Sequence, residues 1–187
     1  MVEMKKLSVF LVVIVLYIGN VFWGGDVWAQ NEGGMTIGYQ LPYPGILPDS
    51  PIYFLKVARD QTMLWLIRDD GHRAFYLLLL SDKRMTAGES LINHSKKSVG
   101  AMSIVKSEEY FGQAVDFAMV AKNKGMDTSD LFAKLTVSSA KHREVISQLS
   151  VKLSGKDSEQ LTKARLQNEN SVNRVREIFF QAMGVGR

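Results

Sequence analysis

All four prolines of this chain, Pro42, Pro44, Pro48 and Pro51, fall in one short stretch, and none follows before Arg187. Proline lacks a backbone donor and clashes with the preceding turn, so it breaks a helix wherever it enters the interior. Everything beyond Pro51 is therefore free to be helical, and its apolar residues recur with helical spacing. Period-2 alternation, the mark of a half-buried strand, is nowhere sustained. The fold class read from this is all-α: a helical bundle of about five helices, the last three as antiparallel hairpins.

The first helix is expected over residues 51–67, with Ser50 as N-cap and Pro51 as first helical residue. Its core face would be Ile52, Leu55, Ala58, Met63 and Leu66, with Lys56 and Asp60 as an i,i+4 pair. Asp69-Asp70-Gly71 ends it and caps a second helix over 72–95, carrying the run from Tyr76 to Leu80, then Ala87 and Leu91. A third over 98–124 shows Ile104, Phe111, Ala114, Ala118 and Ala121 on one stripe. Gly125 suits the left-handed residue after a helix, and Asp127 with Asp130 marks the start of a fourth over 128–153. That helix carries Leu131, Leu135, Val145 and Leu149. Gly155 ends it, and Asp157 with Gln160 opens a fifth over 158–183, with Leu161, Ala164, Val175 and Ile178. Short links make the last three antiparallel neighbours. No internal repeat is present.

Ahead of these helices, residues 41–49 read as a stiff, extended strap, because each proline also pushes its predecessor into an extended conformation. Residues 30–40 are polar with Gly33, Gly34 and Gly38, a flexible leader. The first 29 residues have the anatomy of a signal peptide: Lys5 and Lys6, an apolar run from Leu7 to Ile18, and Val27-Trp28-Ala29 with small residues where a signal peptidase needs them. Cleavage after Ala29 would leave Gln30 first. The rival is a retained anchor, since 7–23 is near the lower length limit of a membrane span. Both place the body outside the cytoplasm, because the lysines stay inside. The domain organisation is thus signal peptide 1–29, leader and strap 30–50, helical bundle 51–187.

Composition narrows the chemistry. There is no cysteine, which excludes disulfides, thiolate metal sites and cysteine nucleophiles. The net charge of +4 is spread among interspersed acids and bases. That pattern is a solvated surface, without the basic cluster that nucleic acid or an anionic surface calls for. Neither a nucleic-acid partner nor a cofactor is expected, and a partner would be another envelope protein. Membrane contact is expected only through residues 1–29, if uncleaved.

No catalytic constellation emerges. His72, His94 and His142 lack any ligand spacing, so no metal is expected. Glu108 and Glu109 point about 100° apart on a helix and read as solvated surface. No serine sits in a Gly-x-Ser-x-Gly elbow, and Ser95-Lys96-Lys97 lies at a helix end. Asn93-His94-Ser95 matches a glycosylation acceptor. Gly33-Gly34 lacks the lysine and preceding strand of a phosphate loop. Methionines and phenylalanines, Phe111, Phe117, Phe132, Phe179 and Phe180 among them, read mostly as core, and the alternative is that exposed members form a groove for a peptide or lipid. Tyr39, Tyr43 and Tyr53 pack on their own domain or form a ligand for another protein.

One polar pair stands out. Folding the last two helices together about Gly155 sets position 142 opposite 168 or 169. His142 lies on the Leu131, Leu135, Ser138, Val145, Leu149 stripe, and Asn168 on the Leu161, Ala164, Val175 stripe. The expectation is that they hydrogen-bond inside the bundle near Phe111 and fix its register. The alternatives are His142 at the rim of the interface, or a titrating functional histidine.

The stretch with Leu47, Pro48, Pro51, Tyr53, Leu55 and Lys56 resembles a bacterial family of small exported helical proteins of unknown function, which opens with Leu-Pro-x-x-Pro-x-Tyr-x-Leu-Lys. The resemblance spans about residues 39–120. It departs at Asp60, where the family often has glutamate, and at Asp70, where it often has proline. It implies an extracytoplasmic helical bundle and brings no activity, ligand or catalytic residue. Tyr53 and Leu55 are expected to bear on the later helices, with residues 41–46 along the bundle surface. The function expected is that of a non-enzymatic envelope interaction or scaffold module. The alternative is an extracytoplasmic sensor or chaperone-like protein for a small ligand, metal or unfolded chain.

Overall fold

A computed structural model describes the backbone of residues 38–182 and the side chains of residues 38–177. The signal segment, the leader to residue 37, and the side chains of Ile178, Phe179 and Phe180 lie outside those described. Five helices follow one another: α1 (Tyr53–Leu66), α2 (Asp70–Asn93), α3 (Lys97–Asn123), α4 (Ser129–Ser150) and α5 (Gly155–Ala182). No strand occurs among the described residues.

Four of the five expected apolar stripes point inward. Ile104, Phe111, Ala114, Ala118 and Ala121 of α3 are sealed, as are Leu131, Leu135, Val145 and Leu149 of α4, Leu161, Ala164 and Val175 of α5, and Leu77, Leu78, Leu80, Ala87 and Leu91 of α2. They assemble into two packed clusters. One surrounds Phe111 with Leu77, Leu131 and Leu135; the other joins Met85, Ile104, Val145, Leu149 and Leu161. Both are built from residues between Leu41 and Val175.

α2 and α3 make the broadest contact, α3 also lies along α5, and α4 bridges α5 and α2. The link after α3 therefore carries the chain across the bundle: α4 meets α3 only lightly and finds its main neighbours in α5 and α2. Small residues explain the closeness of α2 and α3. A Cβ built on Gly88 would lie 2.8 Å from the Gly100 carbonyl oxygen, and one built on Gly100 would lie 2.8 Å from that of Gly88. Further along the seam, Ser81 Oγ donates to the Ser107 carbonyl at 2.9 Å and Ser107 Oγ donates to the Ser81 carbonyl at 2.8 Å.

The helix ends follow local chemistry. Asp69 caps α2, its Oδ1 accepting from the His72 amide at 2.7 Å. α3 closes with Gly125 at φ +79°, its amide donating to Lys122 and that of Met126 to Ala121, the paired bonds of a left-handed terminus. α2 closes the same way, but with Ser95 at φ 64°. Three expected ends move. Ser50 does not cap α1, because residues 50–52 form a preceding turn and Ile52 is the N-cap without a side-chain bond. Asp127 accepts from the Ser129 amide, yet Thr128 is the N-cap of α4. α4 already stops at Ser150, and Gly155 begins α5 instead of ending α4.

α1 is the exception to the inward rule. Ile52, Leu55, Ala58 and Leu66, expected in the core, are exposed, whereas Lys56 and Asp60 are buried at 8% and 2%. The physical reason is that α1 docks through its other side, where Leu64 packs on the Phe111 cluster and polar side chains bond to α2 and α3. Gln61 Nε2 donates to Tyr110 Oη at 3.3 Å, Arg73 Nη2 to the Leu64 carbonyl at 2.7 Å, and Tyr76 Oη to Asp60 Oδ1 at 3.5 Å. Lys56 and Asp60 do not form the expected bridge: Asp60 pairs with Arg59 at 2.8 Å, and Lys56 turns to the strap.

Candidate functional site, a buried carboxylate-histidine-carboxylate network

Five buried polar residues from four helices meet in one network. α2 supplies Asp82, α3 Glu108, α4 Ser138 and His142, and α5 Asn168, each at a position where its helix faces the core. His142 Nδ1 is 2.8 Å from Glu108 Oε1, and His142 Nε2 is 3.0 Å from Asp82 Oδ1. Asn168 Nδ2 donates to Glu108 Oε2 at 3.0 Å. Ser138 Oγ donates to Asp82 Oδ1 at 2.6 Å, and Tyr39 Oη donates to Asp82 Oδ2 at 2.5 Å. The Phe111 ring packs against the imidazole at 5.7 Å between centroids, tilted by 58°.

A carboxylate at each ring nitrogen requires two N–H donors, which only the protonated imidazole offers. Burial opposes that charge. The Glu108 charge, the hydrogen bonds to Asp82 and Glu108, and the Asp82 charge together outweigh it, and His142 is pushed up to about 9. The second negative charge is left to neutral donors: Tyr39 and Ser138 serve Asp82, and Asn168 serves Glu108. Tyr39 is itself held protonated, its hydroxyl raised far above the usual tyrosine range by burial and then by the Asp82 charge. Asn168 Oδ1 and Gln167 Oε1 are buried without a partner.

The expected His142 and Asn168 pair is therefore corrected in form. Both are wholly buried, near Phe111 as expected, but they meet through Glu108, one on each carboxylate oxygen. Glu108 and Asp82 were the residues missed, and Glu108 is not the solvated residue expected. Its signal was legible: position 108 is four after Ile104 and three before Phe111, inside the apolar stripe. Only Glu109 faces outward, paired with Lys106 at 2.8 Å.

The signature residues tether the strap. Lys56 Nζ donates to the carbonyl oxygens of Pro44 and Ile46, the latter at 3.2 Å, and burial pushes its ammonium down, against the nearby Asp60 charge. Tyr53 lies under the Arg84 guanidinium at 4.8 Å with its hydroxyl buried and unpartnered, so it does bear on α2. Leu55 does not; it points outward. The Leu47 carbonyl accepts from Ser50 in the turn that precedes α1, beside half-buried Pro48 and exposed Pro51. Residues 41–46 do more than lie on the surface: Pro44 is buried and Leu41 packs on the second cluster. With Tyr39 bonded to Asp82, the end of the expected flexible leader is in fact anchored.

The imidazole itself is closed to a substrate. Both nitrogens of His142 are committed and its exposure is 0%. A groove of about 480 Å³ runs between α3 and α5, and Glu108 of the network forms part of its wall, with Gln113, Asp116, Gln167, Asn170 and Arg174. Arg174 is already paired with Asp116. His72 and His94 sit at opposite ends of α2, bonded to Asp69 Oδ1 and the Ser90 carbonyl, each at 2.7 Å. Among the described residues no group of three potential ligands is placed to hold a metal, and no helix is long and apolar enough to cross a membrane. Asn93 of the glycosylation match is the last residue of α2 and accepts from Lys152 at 2.8 Å.

Fold and site together define an all-α helical bundle with an apolar core and one buried polar network. Compared with known proteins, the chain matches no family model, no curated protein and no solved structure.

Proposed function

We propose that this chain is a non-enzymatic helical-bundle module of the bacterial cell envelope, exported by its first 29 residues, that presents surfaces to other envelope components. The observation that carries this reading is the commitment of the one buried histidine. An acid-base or nucleophilic centre needs a titratable group within hydrogen-bond reach of a substrate. Here the imidazole is closed off between Asp82 and Glu108, an arrangement suited to fixing which helices pair and in what register. A ligand sensor or chaperone-like binder would favour an apolar cleft, and the groove between α3 and α5 is polar. The resemblance of the Leu47 to Lys56 stretch to exported helical proteins points the same way.

The test has two arms. Protease added to intact cells should digest the tagged chain, and retention in the cytoplasm would end the reading. Pull-downs from envelope extracts, with and without residues 30–50, should recover defined envelope partners. Turnover abolished by substitutions in the Asp82, Glu108 and His142 network without loss of stability would make it an enzyme instead.

A further inference from the structure

Residues 38–46 make no backbone-to-backbone hydrogen bond and are held to the bundle through side chains. There are two fastenings. Lys56 Nζ grips the carbonyls of Pro44 and Ile46, and Tyr39 Oη donates to Asp82 Oδ2 at 2.5 Å. Between them Leu41 sits on the second cluster. Asp82 also accepts from Ser138 and pairs with His142, so the strap ends on one of the two carboxylates that flank the imidazole. Among the described members of the network, Tyr39 alone lies outside a helix.

We propose that residues 38–43 form a latch, held shut by Tyr39 on Asp82 and released when the network gives up the proton on His142. That proton balances Asp82 of α2 and Glu108 of α3, while Ser138 of α4, Asn168 of α5 and Tyr39 of the strap supply only neutral donors. A neutral imidazole has a single N–H, so one carboxylate loses its donor and both remain charged in a site closed to water. Buried charge without a counter-charge is costly, and hydration relieves it. Opening a helix would break many backbone bonds, whereas lifting residues 38–43 breaks the Tyr39 bond and the Leu41 contact. The strap therefore yields first. Water then reaches Asp82 and the seat of Leu41 is bared, while Lys56 keeps Pro44 in place. Tyr39 is not the trigger, because burial and then the Asp82 charge hold its hydroxyl far above the usual tyrosine range. His142, at about 9, loses its proton before Tyr39 does, so the latch is shut at neutral pH and opens as pH rises through about 9. Lys56 is the other titratable group on the strap, its ammonium pushed down by burial.

The chain has no cysteine, so a nitroxide on Gln40→Cys, an exposed position beside Tyr39, reports on the strap alone. In the full-length chain the label should be immobilised at neutral pH and become mobile with a midpoint near pH 9, with far-ultraviolet circular dichroism unchanged. Tyr39→Phe should raise its mobility already at neutral pH. Against burial, the Glu108 charge does most to raise His142, so Glu108→Gln should lower the midpoint by about 1–3 pH units. That substitution fits the site: the new oxygen accepts from His142, and the new amide donates to Asn168 Oδ1, now buried without a partner, once the Asn168 amide turns over.

A label that stays immobilised well above pH 9 overturns the proposal. So does mobility gained only together with loss of helical signal, which makes the alkaline change a global unfolding. An unmoved midpoint in Glu108→Gln assigns the release to Lys56 and defeats the latch as well. Should that variant fail to fold, Asp82→Asn replaces it: with no charge to hydrate beneath Tyr39, the label should stay immobilised at alkaline pH, and mobility there would refute the coupling.

Discussion

His142 Nδ1 lies 2.8 Å from Glu108 Oε1, and neither side chain has any contact with solvent. The two residues come from helices that share only a light contact, so the bond ties α3 to α4 across the bundle. Removing two charges from water is costly, and their attraction repays it only when the remaining hydrogen-bonding groups are met. Glu108 meets that condition through Asn168, and the network as a whole through Asp82, Ser138 and Tyr39.

The first prediction concerns pH. The folded value of His142, about 9, lies above the ordinary 6.5, so the bundle holds this proton more tightly than the unfolded chain does. The resulting stability, on the order of 3 kcal/mol, is fully present below about pH 6.5 and is lost as pH rises through about 9. Urea midpoints should fall between those values. Asp69 and Asp127, pushed down by their cap bonds, act only in the acid range. In His142→Leu the alkaline fall should disappear.

That same His142→Leu chain should be far less stable at neutral pH. It leaves Asp82 and Glu108 buried without their shared cation, and breaking a buried pair from one side costs about 3–5 kcal/mol. Adding Asp82→Asn and Glu108→Gln should recover part of the loss. If the single variant unfolds at the wild-type urea midpoint, the network does not hold the bundle.

Gly100→Ala sets two effects against each other. Helix propensity favours alanine by about 1 kcal/mol. A Cβ there would meet Ile92 Cγ1 at 2.6 Å and the Gly88 carbonyl at 2.8 Å, and backbone cannot rotate away as a side-chain end can. Overpacking of about 1–3 kcal/mol should win, with net destabilisation and a lower melting temperature. A stabilised Gly100→Ala would mean that α2 and α3 are further apart.

Tyr39→Phe removes a donor from Asp82 Oδ2 while leaving the ring. Hydrogen bonds to charged groups contribute about 1.5–3 kcal/mol, and the loss should appear both in urea unfolding and as faster proteolysis of the strap near Tyr43. Unchanged cleavage would show that Lys56 holds the strap without help from Tyr39.

Much of the bundle was legible because helical periodicity is local. The stripes of α2 to α5 and the Asp69 cap need only spacing and residue chemistry, and His142 and Asn168 could be placed opposite each other by counting from a turn. Glu108 was misread by treating two adjacent glutamates alike, although their stripe positions differ. Asp82 and Tyr39 could not be joined from the sequence: 43 positions separate them, and the bond depends on where the strap crosses α2.

The sequence by itself determined an all-α chain with its prolines confined ahead of the helices, since backbone donors, spacing and caps act over a few residues. Only the tertiary structure decided which face of α1 is inside. An apolar stripe states that a face prefers burial, but the bundle formed by α2 to α5 already fills its own core, and α1 reaches it through the Leu64 side chain and through bonds of Asp60, Gln61 and the Leu64 carbonyl. Lys56 meanwhile binds the strap from the same buried side. Once those long-range polar bonds fix the helix, the apolar face has nowhere to point but outward.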